Sequence, residues 1–137
     1  MLHISGIAIT HFLNYATTVK LSIAKENGMN ISQLLALVFV GSTGTQSIKD
    51  IRKKLAIPGS STTFTIDSLE KKKLIKRQRS KTDRREWLIS LTAKGERLYS
   101  QVIEAENSAI SSNLENLSES DKESFLKLSQ EIMHFGN

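Results

Sequence analysis

The amino-acid sequence predicts a mainly α fold with one small β-hairpin, an α+β arrangement of helices around a short basic sheet. Three observations predict it. The 137 residues include one Pro and seven Gly, too few turn-formers for an all-β fold. Apolar residues recur every three or four positions over most of the chain, the mark of helix faces, but from Leu74 to Leu91 the recurrence drops to two, the mark of strands. Charge is also segregated. Between Lys49 and Arg85 thirteen basic side chains stand against four acidic ones, a net +9 in a chain whose total is +5. A basic middle within an acidic remainder is the electrostatic footprint of a surface that meets a polyanion.

Hydrophobic content of 39% and charged content of 24% are ordinary for a folded chain, and the length suits one domain, or a small domain with an accessory bundle. The chain has no Cys. That excludes disulfides, thiolate metal sites and thiol-based redox sensing, and it fits a reducing compartment. The first sixteen residues lack a basic leader and are interrupted by Thr10, His11 and Asn14, so no signal peptide is expected. The longest apolar run, Leu34 to Val40, is too short to cross a bilayer. A cytoplasmic protein with no membrane partner is the expectation.

The elements follow in order. Ile4, Ile7, His11, Tyr15, Val19 and Ile23 mark one face of a first helix over residues 4–25, which Gly28 and Asn30 end. Ile31–Phe39, apolar nearly all round, reads as a buried central helix stopped by Gly41-Ser42-Thr43-Gly44. Ser47-x-x-Asp50 is a capping-box pattern, in which Ser47 accepts from a free amide while Asp50 reaches back. It opens a helix over Ser47–Ala56 with Ile48, Ile51 and Leu55 on one stripe. Ile57-Pro58-Gly59 is a tight turn, and Ser60–Lys73 is the next helix, with Thr62, Ile66 and Leu69 inward and Ser61, Phe64, Ser68 and Lys71-Lys72 on the opposite face. Helix, short Gly-containing turn and helix make a helix-turn-helix.

Strands over Leu74–Ser80 and Glu86–Leu91, joined by the charged tip Lys81–Arg85, then form a hairpin, and a helix-turn-helix followed by such a hairpin is a winged helix. Thr92 caps a long helix from Ala93 to about Asn113, and Ser118-x-x-Asp121 opens a final one with Phe125, Leu128, Ile132 and Phe135 in register. From Glu96 to Asn137 there are eight acids and three bases, so this end is expected to stay clear of nucleic acid. The helices at both chain ends are too narrow and short to be a core alone, and such helices pack on each other and on a second subunit. The expected division is 1–30 (N-terminal helix), 31–92 (winged helix-turn-helix) and 93–137 (C-terminal helices).

Ser60 to Gly95 resembles the most recognisable part of the MarR family of bacterial transcriptional regulators. The carrying pieces are Asp67-Ser68-Leu69-Glu70-Lys71-Lys72, the tip Asp83-Arg84-Arg85, and Ser90-Leu91-Thr92-x-Lys94-Gly95. The resemblance implies a winged helix-turn-helix flanked by N- and C-terminal dimerisation helices, a homodimer on palindromic duplex DNA, and often a small-molecule effector pocket between DNA-binding and dimer regions. It places Ser60, Ser61, Thr63 and Phe64 at the groove-facing start of the recognition helix, Arg84 and Arg85 in the wing near the minor groove, and Asp83 as a buttress for an arginine. The chain departs from the family pattern twice. Phe64 stands where a basic residue is frequent, and Lys73 where a helix-ending glycine is usual.

The chemistry of these residues supports that use. Hydroxyls and free amides at a helix start bond phosphates or base edges, and Phe64 can meet a thymine methyl or, with the helix slightly rotated, join the core. For Ser60–Thr63 the plain alternative is N-capping. Ser68 and Lys71 extend the recognition helix, while Arg77, Arg79 and Lys81 carry the basic run along the hairpin, either as a solvated face or as phosphate contacts. A narrow minor groove attracts Arg84 and Arg85. His11, Tyr15 and Trp87 admit an effector pocket, but a helix interface for the first two and a brace for the third is the better-supported reading. His3, His11 and His134 lack metal-ligand spacing. No phosphate-cradling loop, nucleophile elbow or His–carboxylate pairing supports an enzyme, and no cofactor is expected. The sequence thus predicts a homodimeric DNA-binding regulator, a repressor by preference. The alternatives are an activator of the same fold, or a winged helix that docks an acidic protein partner.

Overall fold

The computed structural model describes the backbone of residues 2–56 and 58–134, and the side chains of 10–56 and 58–131. The predicted positions Ile57 and Phe135, and the side chains of His3, Ile4, Ile7, Ile132 and His134, lie outside the described set. Among the described residues nine elements follow one another: α1 (Leu2–Glu26), α2 (Ile31–Thr43), β1 (Gln46–Ser47), α3 (Ile48–Leu55), α4 (Gly59–Lys71), β2 (Ile75–Arg79), β3 (Trp87–Leu91), α5 (Ala93–Leu114) and α6 (Glu119–His134). Six helices with a three-stranded antiparallel sheet in the order β1-β3-β2 make the winged helix.

Two compact units divide within α5, at Glu106/Asn107. The first holds the core. Leu34 and Leu37 of α2, Ile51 of α3, Ile66 and Leu69 of α4 and Ile89 of β3 are fully buried, and Ile23 and Ala24 of α1 and Val102 of α5 join them. Each such side chain withdrawn from water contributes about 1.5–3 kcal/mol, so α4 is held by its inner stripe. In the second unit Ser118 caps α6: its Oγ accepts from the Asp121 amide (3.2 Å) and donates to Asp121 Oδ2 (2.7 Å). None of the described residues of this unit is buried.

Several elements differ from the sequence expectation, each for a local reason. α2 runs through Gly41 and stops at Gly44, where φ is +83°. Gly41 belongs inside the helix because the Tyr99 ring lies against it; an added Cβ would sit 2.5 Å from that ring. β1 is an unforeseen third strand, pairing Gln46 with Ile89 and Ser47 with Leu88. Ser47 still caps α3 by accepting from the Asp50 amide (3.0 Å), but Asp50 accepts from the Ser47 hydroxyl (2.7 Å) rather than from its main chain. α4 ends at Lys71, two residues early. Lys73 takes φ +59°, its amide bonding Glu70 O (2.8 Å) while the Leu74 amide bonds Leu69 O (3.0 Å). This is the paired closure usually built on glycine, here with a lysine at the left-handed position.

Candidate nucleic-acid interface

The orientation of α4 is set from within. Its buried face is Thr62, Thr65, Ile66 and Leu69, a three-and-four spacing that leaves Ser60, Ser61, Thr63 and Phe64 exposed. A hydrogen-bond chain fixes the rotation. Asn30 and Gln33 cap α2 reciprocally (2.9 and 3.1 Å), and Gln33 Nε2 donates to Ser68 Oγ at 2.8 Å. Ser68 is therefore half-buried and tied to α2, while Lys71 is exposed in the last turn.

The start of α4 has no side-chain cap, because Pro58 holds the cap position. The first intrahelical bond runs from the Thr62 amide to Pro58 O (3.0 Å), so by helix geometry the amides of Gly59, Ser60 and Ser61 have no helical acceptor. The capping reading of Ser60–Thr63 is not the one built: Thr62 and Thr63 bond back to the carbonyls of Pro58 and Gly59, each at 3.2 Å. Arg52 of α3 lies over this end, its Nη1 3.2 Å from where a Gly59 Cβ would stand. Sequence reading gave Arg52 no role; the signal was a glycine in the turn beside a basic helix. A cleft of about 350 Å³, lined by Asn30, Ser32, Ser60, Ser61, Phe64 and Thr65, runs beside this start without a charged side chain. Phe64 is 65% exposed, so its reading as a core aromatic is excluded.

In the hairpin, register divides the arginines. Ile75, Arg77 and Arg79 stand opposite Leu91, Ile89 and Trp87, so both arginines share the strand face of Ile75; that face is buried at Ile75, half-buried at Arg77 and exposed at Arg79. Arg77 is ion-paired with Asp67, and its Nε lies 2.9 Å from Glu70 Oε2 without hydrogen-bond alignment. The Arg79 guanidinium stacks 3.9 Å over the Trp87 ring and donates to Arg84 O (2.8 Å). Of the two arginines expected among the DNA contacts along β2, Arg77 is half-buried and Arg79 exposed, and both side chains brace the hairpin. Trp87 is the platform of that brace.

The tip is built on a residue the sequence reading passed over. Buried Ser80 accepts from the amides of Thr82 and Asp83 (3.3 and 3.2 Å), the turn chemistry of a short hydroxyl residue. Asp83 Oδ1 accepts from the Arg85 amide at 2.9 Å, so it meets that arginine through the main chain. Lys81, Arg84 and Arg85 are exposed. The segment after β3 closes the far end of α4. Thr92 Oγ1 donates to Lys73 O (2.7 Å) and Lys94 Nζ to Lys72 O (2.9 Å). Gly95 leaves room for the Leu74 carbonyl, which an added Cβ would approach to 2.0 Å. His11 and Tyr15 are exposed on α1. Among the described residues no group of three or more His, Asp or Glu could hold a metal ion, and no helix is long and apolar enough to cross a membrane.

With this geometry in view, residues 27–86 match the model of the MarR family. Three regulators of Bacillus subtilis strain 168 are similar to the chain. The uncharacterised HTH-type transcriptional regulator YfiV is 30% identical over 95 residues, 69% of this chain and 59% of YfiV. The HTH-type transcriptional regulator MhqR is 30% identical over 98 residues, 72% of this chain and 68% of MhqR. The HTH-type transcriptional repressor MdtR is 27% identical over 97 residues, 71% of this chain and 63% of MdtR. The matched stretch thus spans about three fifths of the length of YfiV. Among solved structures, a MarR family protein from Bacillus stearothermophilus has a TM-score of 0.87 at 20% identity, covering 97% of this chain and 93% of that one. BpsR of Bordetella bronchiseptica, whose DNA binding is regulated by 6-hydroxynicotinic acid, has a TM-score of 0.64 at 21% identity, covering 92% and 98%.

Proposed function

The chain belongs to the MarR family, and from that membership we propose that it regulates transcription by binding duplex DNA as a homodimer. The observation that carries this is the uncapped start of α4, with Ser60, Ser61 and Phe64 exposed on it, in a unit whose hairpin tip exposes Lys81, Arg84 and Arg85. Free amides and hydroxyls at a helix start suit phosphates and base edges. Arginines at a hairpin tip suit a narrow minor groove. Arg52, over the start of α4, adds a charge for the flanking phosphate, and Lys71 adds one at the helix's other end. Ser68, Arg77, Arg79 and Asp83 hold the reading surfaces in place.

Homodimerisation is supported by large apolar side chains left exposed near both chain ends, Phe12, Leu13, Tyr15 and Leu21 on α1 and Phe125, Leu126 and Leu128 on α6. A two-fold dimer places two copies of α4 on a palindrome with half-sites about 10 bp apart. Repression by promoter occlusion is the favoured outcome, supported by the likeness to MdtR, which is named a repressor. Release by a small molecule is part of the proposal, supported by the regulation of BpsR; His11 and Tyr15 on α1 remain its proposed contacts.

The test is selection of bound genomic fragments followed by anisotropy titration against bulk competitor DNA, with sedimentation to give the stoichiometry. A preferred palindrome bound by two chains is expected. A monomer indifferent to sequence overturns the reading. Within the selected site, replacing thymine by uracil at the position facing Phe64 is expected to weaken wild type and leave Phe64→Ala unchanged.

A further inference from the structure

Phe64 is 65% exposed, more than any other large apolar side chain among the described residues. The group that covers it on duplex DNA must be apolar, and the major-groove edges of the base pairs offer one such group, the C5-methyl of thymine. The cleft beside the start of α4 narrows the choice further. Its lining, Asn30, Ser32, Ser60, Ser61, Phe64 and Thr65, has no charged side chain. Arg52 over Gly59, and Lys71 about two turns further along α4, are not part of it. The cleft therefore holds no cationic fork for guanine. An amide fork for adenine is missing too, because the Asn30 Oδ1 that would accept from the adenine amine already accepts from the Gln33 amide at 2.9 Å.

What stands beside Phe64 is hydroxyl. Ser61 precedes it by three residues and Ser60 by four, spacings that bring side chains together on one helix face, about 5–6 Å apart at Cβ. Both serines are exposed, and neither hydroxyl takes part in a hydrogen bond among the described residues. A free hydroxyl rotates, so it can donate to thymine O4 or accept from the cytosine N4 amine. A hydroxyl and a phenyl ring side by side thus discriminate at pyrimidine C5 and not at C4. We infer that the start of α4 reads a 5-methylpyrimidine, so that 5-methylcytosine takes the place of thymine in the bound site and cytosine does not. Methylation of cytosine then strengthens a site, a regulation written on the DNA rather than on the protein. This rests on the duplex-binding reading and adds to it a sensitivity to base modification.

The test uses the full chain and the duplex that genomic selection returns. Each thymine of one half-site is replaced in turn by uracil, by cytosine and by 5-methylcytosine, with the opposite base changed to keep the pair, and affinity is read by anisotropy at fixed salt. At one position uracil is expected to weaken binding about fourfold, the burial of one methyl, and 5-methylcytosine to gain about the same factor over cytosine. Phe64→Ala, with its fold checked by thermal unfolding, is expected to lose both differences at that position, and Phe64→Leu to keep most of them. If 5-methylcytosine binds no better than cytosine at any position, the inference is overturned. It is overturned as well if Phe64→Ala keeps the methyl preference, which would place that preference in DNA shape. A change in the sedimentation of the free chain on Phe64→Ala overturns it too, because a second copy would then cover the ring. Failure to select any duplex is a different result. It removes the duplex-binding reading and this inference with it, whereas duplex binding that is blind to the methyl removes the inference alone.

Discussion

Arg77 and Arg79 on β2 and Arg84 and Arg85 at the tip lie within nine residues of one another, yet they are used in opposite ways. The strand pair is engaged by side-chain contacts within the protein, although Arg79 itself is exposed. Arg77, 19% exposed, is held between Asp67 and Glu70 of α4, and Arg79 is stacked on Trp87. The tip pair is exposed, with its backbone alone engaged, Arg84 through its carbonyl and Arg85 through its amide. Equal charge on a sequence map therefore does not mean equal availability to a phosphate. Strand register decides which arginine faces inward, and carboxylates on the neighbouring helix decide what it does there.

The largest effect tests the built side at its tightest point. Gly95→Ala places a methyl 2.0 Å from the Leu74 carbonyl, a backbone atom that cannot swing away, and should destabilise the protein by about 3 kcal/mol in a urea melt. A loss under about 0.5 kcal/mol would show that the α4–α5 junction is looser than the contact implies. Next is Arg77→Ala. It removes the cation shared by Asp67 and Glu70 and leaves two like charges three residues apart on one helix face. Both carboxylates are close to half exposed, which limits the loss to about 1–2 kcal/mol of stability. The salt slope of duplex binding should not change. If that slope falls by about 0.9, Arg77 meets a phosphate and the contrast fails.

The bare side gives the complementary result. Arg84→Ala and Arg85→Ala should each lower the slope of log affinity against log salt by about 0.9, while unfolding midpoints stay within about 0.5 kcal/mol of wild type. A filter-binding salt series and a denaturant melt on the same preparations read both quantities. Stability lost at the tip, with the salt slope intact, would make the tip pair structural too.

The sequence made the skeleton of this unit legible and left its cross-links hidden. The inward stripe Thr62, Ile66 and Leu69 and the hairpin were readable because periodicity is a local property of the chain. So were the caps at Ser47, Thr92 and Ser118, whose partners lie three residues away. β1 escaped because two residues cannot display alternation. Gly41 read as a stop since the contact that explains it, the Tyr99 ring, is remote in the chain. The ion pair of Arg77, not foreseen, was the more recoverable of the cross-links. Ile75 two residues before it marks the buried face, and Asp67 and Glu70, spaced one helical turn apart, were a waiting acceptor pair. In the candidate interface, Ser61 was placed on the outer face by helix phase, Ser60 by the family resemblance, and Phe64 was left open between groove and core, whereas Arg52 over Gly59 and the Ser80 turn depend on how separate elements meet.

Lys73 belongs to both sides of the comparison and gives its smallest and most selective test. Its backbone is built in. The residue sits at φ +59°, and its carbonyl accepts from Thr92 Oγ1 at 2.7 Å. Its side chain is exposed. A non-glycine residue in the left-handed region costs about 1–2 kcal/mol, and part of that is offset because lysine has less backbone freedom to lose on folding than glycine. Lys73→Gly should therefore raise stability by about 0.5–1 kcal/mol, read as a higher urea midpoint at unchanged m-value. The same substitution removes one positive charge from the basic stretch. An unchanged salt slope would assign Lys73 to the built side on both counts. A slope lowered by about 0.9 in a more stable protein would show its ammonium meeting a phosphate while its backbone closes the helix, and the line between built and bare would then run through a single residue.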